Sequence, residues 1–322
     1  MAKILVTRTI PKVGLDLLKK AGHSIDLWKE DRVIPRAVLL KRAKGKDALL
    51  TMLTDRIDAE VLDAAGKGLK VVANYAVGYD NLDLEALKAR GIAAANTPGV
   101  LNGAVSEHAF ALMLAAAKRI PEADAYARKG RYKGWAPLLL LGSELKGKTL
   151  GILGTGRIGA GVARRAALGM DMKVVYYDVQ RNPELEKTYG ARYLTVEELL
   201  RESDVVSLHV PLLPQTRHLI DAKRLRMMKR TAILVNTARG PVVDEKALVA
   251  ALKAKRIAAA ALDVYEREPK LAPGLAKLPN VVLTPHTASA TVETRDAMAT
   301  AAASAVVDVL AGKTPPNLIH QP

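Results

Sequence analysis

At 322 residues the chain can bury a sizeable core, and at roughly 100 to 200 residues per domain it is expected to form two domains. Hydrophobic residues make up 49% and charged residues 25%, too apolar for a disordered chain, and the absence of cysteine excludes disulfides, thiolate zinc sites and a cysteine nucleophile. The net charge of +16 raises an anionic partner, but the basic residues are dispersed and aromatics are only 4%, so a basic surface that attracts anionic cofactors and substrates is preferred over a nucleic-acid interface.

The N-terminus moves straight into a strand-like run with no signal-peptide pattern, and the most apolar stretch, 109–117, is far short of the roughly 18 residues a membrane span needs. A cytoplasmic protein without membrane contact is expected. Strands are predicted at 3–7, 48–51, 70–73 and 92–95, separated by helical patterns at 12–20, 59–64 and 84–88. A long helix is predicted over 102–119, where Val105, Ala109, Leu112 and Ala116 recur at helical spacing and Pro121 follows the end. A second series of strands begins at 149–153 and continues at 173–177, 205–209, 232–236 and 258–262, with the last strand at 281–283. After His286, residues 291–310 read as one alanine-rich helix long enough to return to the first domain.

This alternation predicts an α/β protein of two Rossmann-like, doubly wound parallel-sheet domains, the first of them discontinuous. The expected boundaries are 1–99 with 287–322 for the first domain and 100–286 for the second.

Gly154-Thr155-Gly156-Arg157-Ile158-Gly159 follows a predicted strand and opens a helix, the context in which a glycine-rich turn lets backbone N–H groups and the helix dipole meet a pyrophosphate. The next strand ends at Asp178, 24 residues after Gly154, where a carboxylate can accept hydrogen bonds from ribose hydroxyls and repel a 2′-phosphate. NAD(H) is therefore favoured, and NADP(H) stays open because Arg181 lies nearby. The competing reading of Asp178 is a turn or helix cap before Asn182-Pro183.

Arg239 sits at a strand-to-loop junction, where a guanidinium can hold a substrate carboxylate through two parallel hydrogen bonds. His286 also follows a strand, and reduction of a ketone needs a proton donor that titrates near neutrality. His23, His108, His209, His218 and His320 compete for that role. Glu268 lies in a polar segment, and a carboxylate beside an imidazole favours the charged ring and fixes its tautomer. No metal site is expected.

Further motifs stand at Ala76-Val77-Gly78-Tyr79-Asp80-Asn81, Asn96-Thr97-Pro98-Gly99-Val100, residues 145–159, His209-Val210-Pro211-Leu212, residues 236–240, Leu262-Asp263-Val264-Tyr265-Glu266 and Thr284-Pro285-His286. On these residues, over the whole chain, the sequence resembles the D-isomer-specific 2-hydroxyacid dehydrogenase family, most closely its glyoxylate and hydroxypyruvate reductases. The resemblance implies an NAD(P)-dependent enzyme with a split substrate domain, a central NAD domain, a cleft site between them and a homodimer built on the NAD domain. It casts Arg239 as substrate anchor, Glu268 as partner of the histidine and His286 as acid and base. Val210, Pro211, Thr216, Thr237, Ala238, Asp263 and Ala288 would join the glycine turn, Asp178, Arg239 and His286 around the cofactor. Met52, Leu53, Val77 and Gly78 would contact substrate with Arg239 and His286, and Trp135 would reach a neighbouring subunit's site.

Val105 stands where close relatives often carry threonine, and no regulatory domain is expected after Leu310, unlike in the longer phosphoglycerate dehydrogenases. Glutamate at 268 and the lack of lysine at 76 or 77 weigh against formate and phosphite oxidation. The alternative is a corepressor-like NAD(H)-sensing protein on the same fold.

Overall fold

The computed structural model describes residues 1–320. Its first strand, β1 (Lys3–Val6), buries Ile4, Leu5 and Val6 completely, as a parallel strand covered on both faces must. The chain continues through α1 (Lys12–Lys20), β2 (Ser24–Leu27), α2 (Arg36–Ala43), β3 (Ala48–Thr51), α3 (Ala59–Ala65), β4 (Val71–Asn74), α4 (Leu84–Ala89) and β5 (Ala93–Ala95). These strands lie side by side in the order β5-β4-β3-β1-β2, all parallel. The predicted strands and helices of this part are present with ends shifted by one residue at most. β2 and α2 are additions. Their apolar signal is weak, because β2 is a half-exposed edge strand and α2 carries Arg36, Lys41 and Arg42 among its eight residues.

Next comes α5 (Asn102–Ala117), which ends earlier than predicted. Arg119 takes a left-handed conformation, φ 54°, and a new helix, α6 (Ile120–Arg128), begins with Pro121 in its first turn. Pro121 therefore opens a helix instead of following one, which its fixed φ and missing N–H favour. The second sheet is built from β6 (Thr149–Leu153), α7 (Arg157–Met170), β7 (Lys173–Tyr177), α8 (Pro183–Tyr189), β8 (Arg192–Tyr193), α9 (Val196–Glu202), β9 (Val205–Leu208), α10 (Ala222–Leu225), β10 (Ile233–Asn236), α11 (Glu245–Lys253), β11 (Ala259–Leu262) and β12 (Val281–Leu283). Its order is β12-β11-β10-β9-β6-β7-β8, again all parallel. Order reverses at β6, flanked by β9 and β7, which makes the crevice beyond the ends of β6 and β9 the expected ligand site.

The two faces of this sheet build separate cores. On one, Leu150, Ile152 and Val174 pack with Ala109, Leu112 and Met113 of α5 and Val162, Ala163 and Ala166 of α7. On the other, Leu153, Val206, Leu234 and Leu262 pack with Leu248 and Leu252 of α11. Neighbouring residues such as Ile152 and Leu153 point to opposite cores, as period-2 alternation requires.

The alanine-rich helix α12 (Val292–Leu310), capped by Thr291, packs against α1 and β4 of the first sheet, and β13 (Leu318–His320) then joins β5 antiparallel, with Leu318 opposite Ala95. The last strand of the chain is thus β13 and not β12. Its signal is local and hidden: Asn317 Nδ2 donates to the Asn96 carbonyl at 2.6 Å and pins a three-residue segment to the sheet edge. The chain divides into two compact units, Met1–Leu101 with Ser289 onward, and Asn102–Ala288. Among the described residues no helix is long and apolar enough to cross a membrane.

Candidate active site

The turn from β6 into α7 is shaped by glycine. Gly154 has φ +94°, and a Cβ there would come within 2.8 Å of His209 C and Val210 N, where β9 leaves the sheet. A Cβ on Gly159 would lie 2.0 Å from the Gly154 carbonyl oxygen. A Cβ on Gly156 would meet open space, and this residue caps α7 with no side-chain hydrogen bond and no acid in the first turn. The helix therefore opens on unclaimed N–H groups and positive dipole, which suits a dinucleotide pyrophosphate. Arg157 is exposed and Ile158 half-buried beside the turn.

Asp178 faces this turn from the end of β7. Its Oδ2 accepts from the Thr155 backbone N–H at 2.6 Å and from Thr155 Oγ1 at 3.1 Å, and its Oδ1 accepts from Val179 N. The helix-cap reading belongs to Asn182, whose Oδ1 accepts from Leu185 N at the start of α8. Beyond β9, Thr216 Oγ1 donates to the Pro211 carbonyl and accepts from Leu213 N, so its hydroxyl closes the turn that carries Val210 and Pro211. After β10, Thr237 is buried with its hydroxyl lacking a partner among the described residues, the kind of orphaned donor that a bound ligand satisfies. Ala238 N donates to Asn236 Oδ1, Asn236 Nδ2 donates to the Arg239 carbonyl, and Arg239 Nη1 donates to the Ala238 carbonyl, so the loop is held by its own strand.

His286 and Glu268 meet, Nδ1 donating to Oε2 at 2.9 Å, while Glu268 Oε1 accepts from Tyr265 N. Both side chains remain partly exposed. His286 has φ +55°, a conformation that a non-glycine residue holds only where its surroundings fix it. Asp263 supplies that fixing. Its carbonyl accepts from His286 N at 2.8 Å, and its fully buried carboxylate accepts from Thr284 Oγ1 at 2.6 Å, Thr287 N at 2.8 Å and Ala288 N at 2.9 Å. His108 Nε2, on α5, stands 3.4 Å from the same carboxylate and 3.1 Å from Thr284 Oγ1. Burial pushes the Asp263 carboxyl up, but the bonds from His108, Thr284 and the two amides outweigh it and hold the group below its ordinary value. Asp263 is a charged anchor under the histidine loop.

The competing histidines are engaged elsewhere. His209 bonds Ser207 Oγ at 2.8 Å, and burial pushes its imidazole down to about 4, so it is neutral near pH 7. His218 pairs with Glu266, His108 with Asp263 and Thr284, and His23 Nδ1 accepts from Ala2 N at 3.4 Å. The His320 side chain lies outside the described residues. Tyr265 is pushed up to about 12 by burial and by the charges of Asp263, Glu268 and Glu245, and its hydroxyl donates to the Thr284 carbonyl at 2.9 Å.

Within the first unit, Met52, Leu53, Val77 and Gly78 come together beyond the ends of β3 and β4. Asn81 Nδ2 donates to the Met52 and Asp55 carbonyls, and Asn74 Nδ2 donates to the Gly78 carbonyl and to Asn81 Oδ1. Sequence reasoning misses Asn74, gives Asn81 no role although it ends the Ala76–Asn81 motif, and misses His108 and Thr284 in their bonds to Asp263. Trp135 is 83% exposed and makes no hydrogen bond or ring contact among the described residues.

Residues 110–288 match the family model of the D-isomer specific 2-hydroxyacid dehydrogenase, NAD binding domain. Over 99% of its length the chain is 51% identical to a glyoxylate reductase of Thermococcus litoralis, covering 97% of that protein. It is 52% identical to a glyoxylate reductase of Korarchaeum cryptofilum, covering 99% of this chain and 96% of that protein. The crystal structure of the TT0316 protein from Thermus thermophilus superposes with a TM-score of 0.93 at 49% identity, over 99% of this chain and 100% of that one. The chain is an NAD-binding oxidoreductase and belongs to the D-isomer specific 2-hydroxyacid dehydrogenase family.

Proposed function

We propose that this protein reduces small 2-oxo acids, glyoxylate and hydroxypyruvate, to 2-hydroxy acids with NADH. The observation that carries the reading is the His286–Glu268 pair, 2.9 Å apart, beyond the ends of the strands that present the glycine turn and Arg239. The glyoxylate reductase names of the two half-identical relatives support the substrate class. When bound, the dihydronicotinamide supplies the hydride that reaches C2 of the oxo acid. Arg239 anchors the substrate carboxylate, and Met52, Leu53, Val77 and Gly78 contribute further substrate contacts. With Nδ1–H donated to Glu268, His286 is left with Nε2 to give its proton to the developing alkoxide, and the carboxylate stabilises the imidazolium before transfer. Asp263 holds the histidine loop, and Thr237 and Ala288 line the nicotinamide end.

Asp178 makes NADH the preferred coenzyme, by accepting ribose hydroxyls and repelling a 2′-phosphate. The unit of residues 1–101 with the returning chain acts as the substrate domain and the unit of residues 102–288 as the NAD domain. The exposed apolar side chains Ile120, Tyr132, Trp135, Leu138 and Leu141 support a homodimer formed on the NAD domain, with Trp135 turned to the partner, and the protein works in the cytoplasm.

The test is loss of NADH absorbance with glyoxylate, hydroxypyruvate, pyruvate and phenylpyruvate in turn, repeated with NADPH. Fastest turnover with the two small acids and NADH is expected. Binding of NADH without turnover of any acid would contradict the reading.

A further inference from the structure

The segment between β7 and α8 carries one cation, Arg181, and the structure shows where its charge goes. Arg181 Nε donates to Glu186 Oε1 at 3.0 Å and Nη2 donates to Oε2 at 2.9 Å, the bidentate geometry in which a guanidinium binds a carboxylate best. The guanidinium also lies over the Tyr193 ring, 5.5 Å from its centroid. Glu186 is itself fixed, because the hydroxyl of the buried Tyr176 donates to Oε1 at 2.6 Å. The Tyr176 hydroxyl in turn accepts from Asn182 N at 2.7 Å, Asn182 Nδ2 donates to the Thr155 carbonyl at 3.2 Å, and the Tyr193 hydroxyl donates to the Asp178 carbonyl at 3.2 Å. The loop after Asp178 is thus bolted both to the sheet and to the glycine turn.

An arginine beside the acidic residue at this strand end is the group that would accommodate a 2′-phosphate. We infer that Glu186, seated on Tyr176, is a specificity-determining residue: it sequesters the one cation of this loop and so deprives a 2′-phosphate of its counter-charge, leaving Asp178 to repel it. The inference rests on the NADH preference proposed above and adds to it. Asp178 disfavours the phosphate by charge, and Glu186 does so by withholding Arg181. The arrangement also accounts for an arginine placed where NADP(H) would be expected to use it.

The test is direct binding, read as the dissociation constants of NADH and NADPH by dinucleotide fluorescence without substrate. In the wild type, Arg181→Ala should move the NADPH constant by less than about twofold, since the guanidinium is already engaged. Glu186→Gln keeps an acceptor for Tyr176 but loses the charged fork, and should tighten NADPH about fivefold, the size of one exposed charge pair, with NADH within about twofold. Adding Arg181→Ala to Glu186→Gln should erase that gain. If Arg181→Ala alone weakened NADPH more than about fivefold, Arg181 would already serve the phosphate and the inference would fall. It would also fall if Glu186→Gln weakened both dinucleotides alike, the result of a purely structural role. A wild type that bound NADPH as tightly as NADH would overturn the coenzyme preference itself, whereas a wild-type preference for NADH that Glu186→Gln left intact would overturn the inference alone.

Discussion

His286 Nδ1 lies 2.9 Å from Glu268 Oε2, and the other oxygen of that carboxylate is held by Tyr265 N. The acid is therefore aimed, and its charge rather than its bulk is what the imidazolium uses. Glu268→Gln preserves the shape and removes the charge. Steady-state kinetics with glyoxylate should show kcat down by about 10- to 100-fold, with the NADH dissociation constant unchanged within about twofold. A kcat near that of the parent would remove Glu268 from the proposed chemistry.

Asp263 has a second, structural job. Its buried carboxylate satisfies Thr284, Thr287 N and Ala288 N, and Asp263→Ala would leave those donors without their acceptor. The expected cost is roughly 3 kcal/mol, seen as an earlier thermal transition, together with loss of kcat as the His286 loop relaxes from its left-handed conformation. Unchanged melting would show that the donors find other partners.

Much of this is legible in the sequence. Strands such as β3, β6 and β7 are short apolar runs between turn residues, and the glycine turn announces itself by standing between a strand and a helix. What escapes depends on tertiary pairing. β13 is three residues that become a strand only because β5 offers a free edge and Asn317 binds Asn96. The break between α5 and α6 hides in a pattern whose apolar spacing runs on through Arg119. At the site, residue types and strand ends point to Arg239 and His286, but Glu268 reads alone as a solvated loop. The bonds of His108 to Asp263 cross 155 positions in sequence, which no local pattern encodes.

Gly159 tests the coenzyme turn. A methyl group there would overlap the Gly154 carbonyl oxygen at 2.0 Å, so Gly159→Ala must open the turn that receives the pyrophosphate. NADH affinity should fall by more than about tenfold while the rest of the fold persists by circular dichroism. Normal NADH binding would place the pyrophosphate elsewhere.

The pH dependence of stability should carry the mark of His209. Burial lowers its imidazole from 6.5 to about 4, so the folded protein holds the neutral ring. Its contribution to stability is complete above about pH 6.5 and is lost as pH falls toward about 4, because the unfolded chain binds a proton that the folded chain refuses. Melting temperatures taken across that window should decline less steeply in His209→Gln than in the parent. Parallel declines would mean that the ring is not desolvated.

The most direct measurement is kcat for glyoxylate reduction by His286→Asn at saturating NADH, beside the NADH dissociation constant of the same variant. With His286 as the proton donor, kcat falls by about 100- to 10,000-fold and NADH binding holds within about twofold. A variant that kept kcat within about tenfold of the parent would contradict the assignment and require another donor.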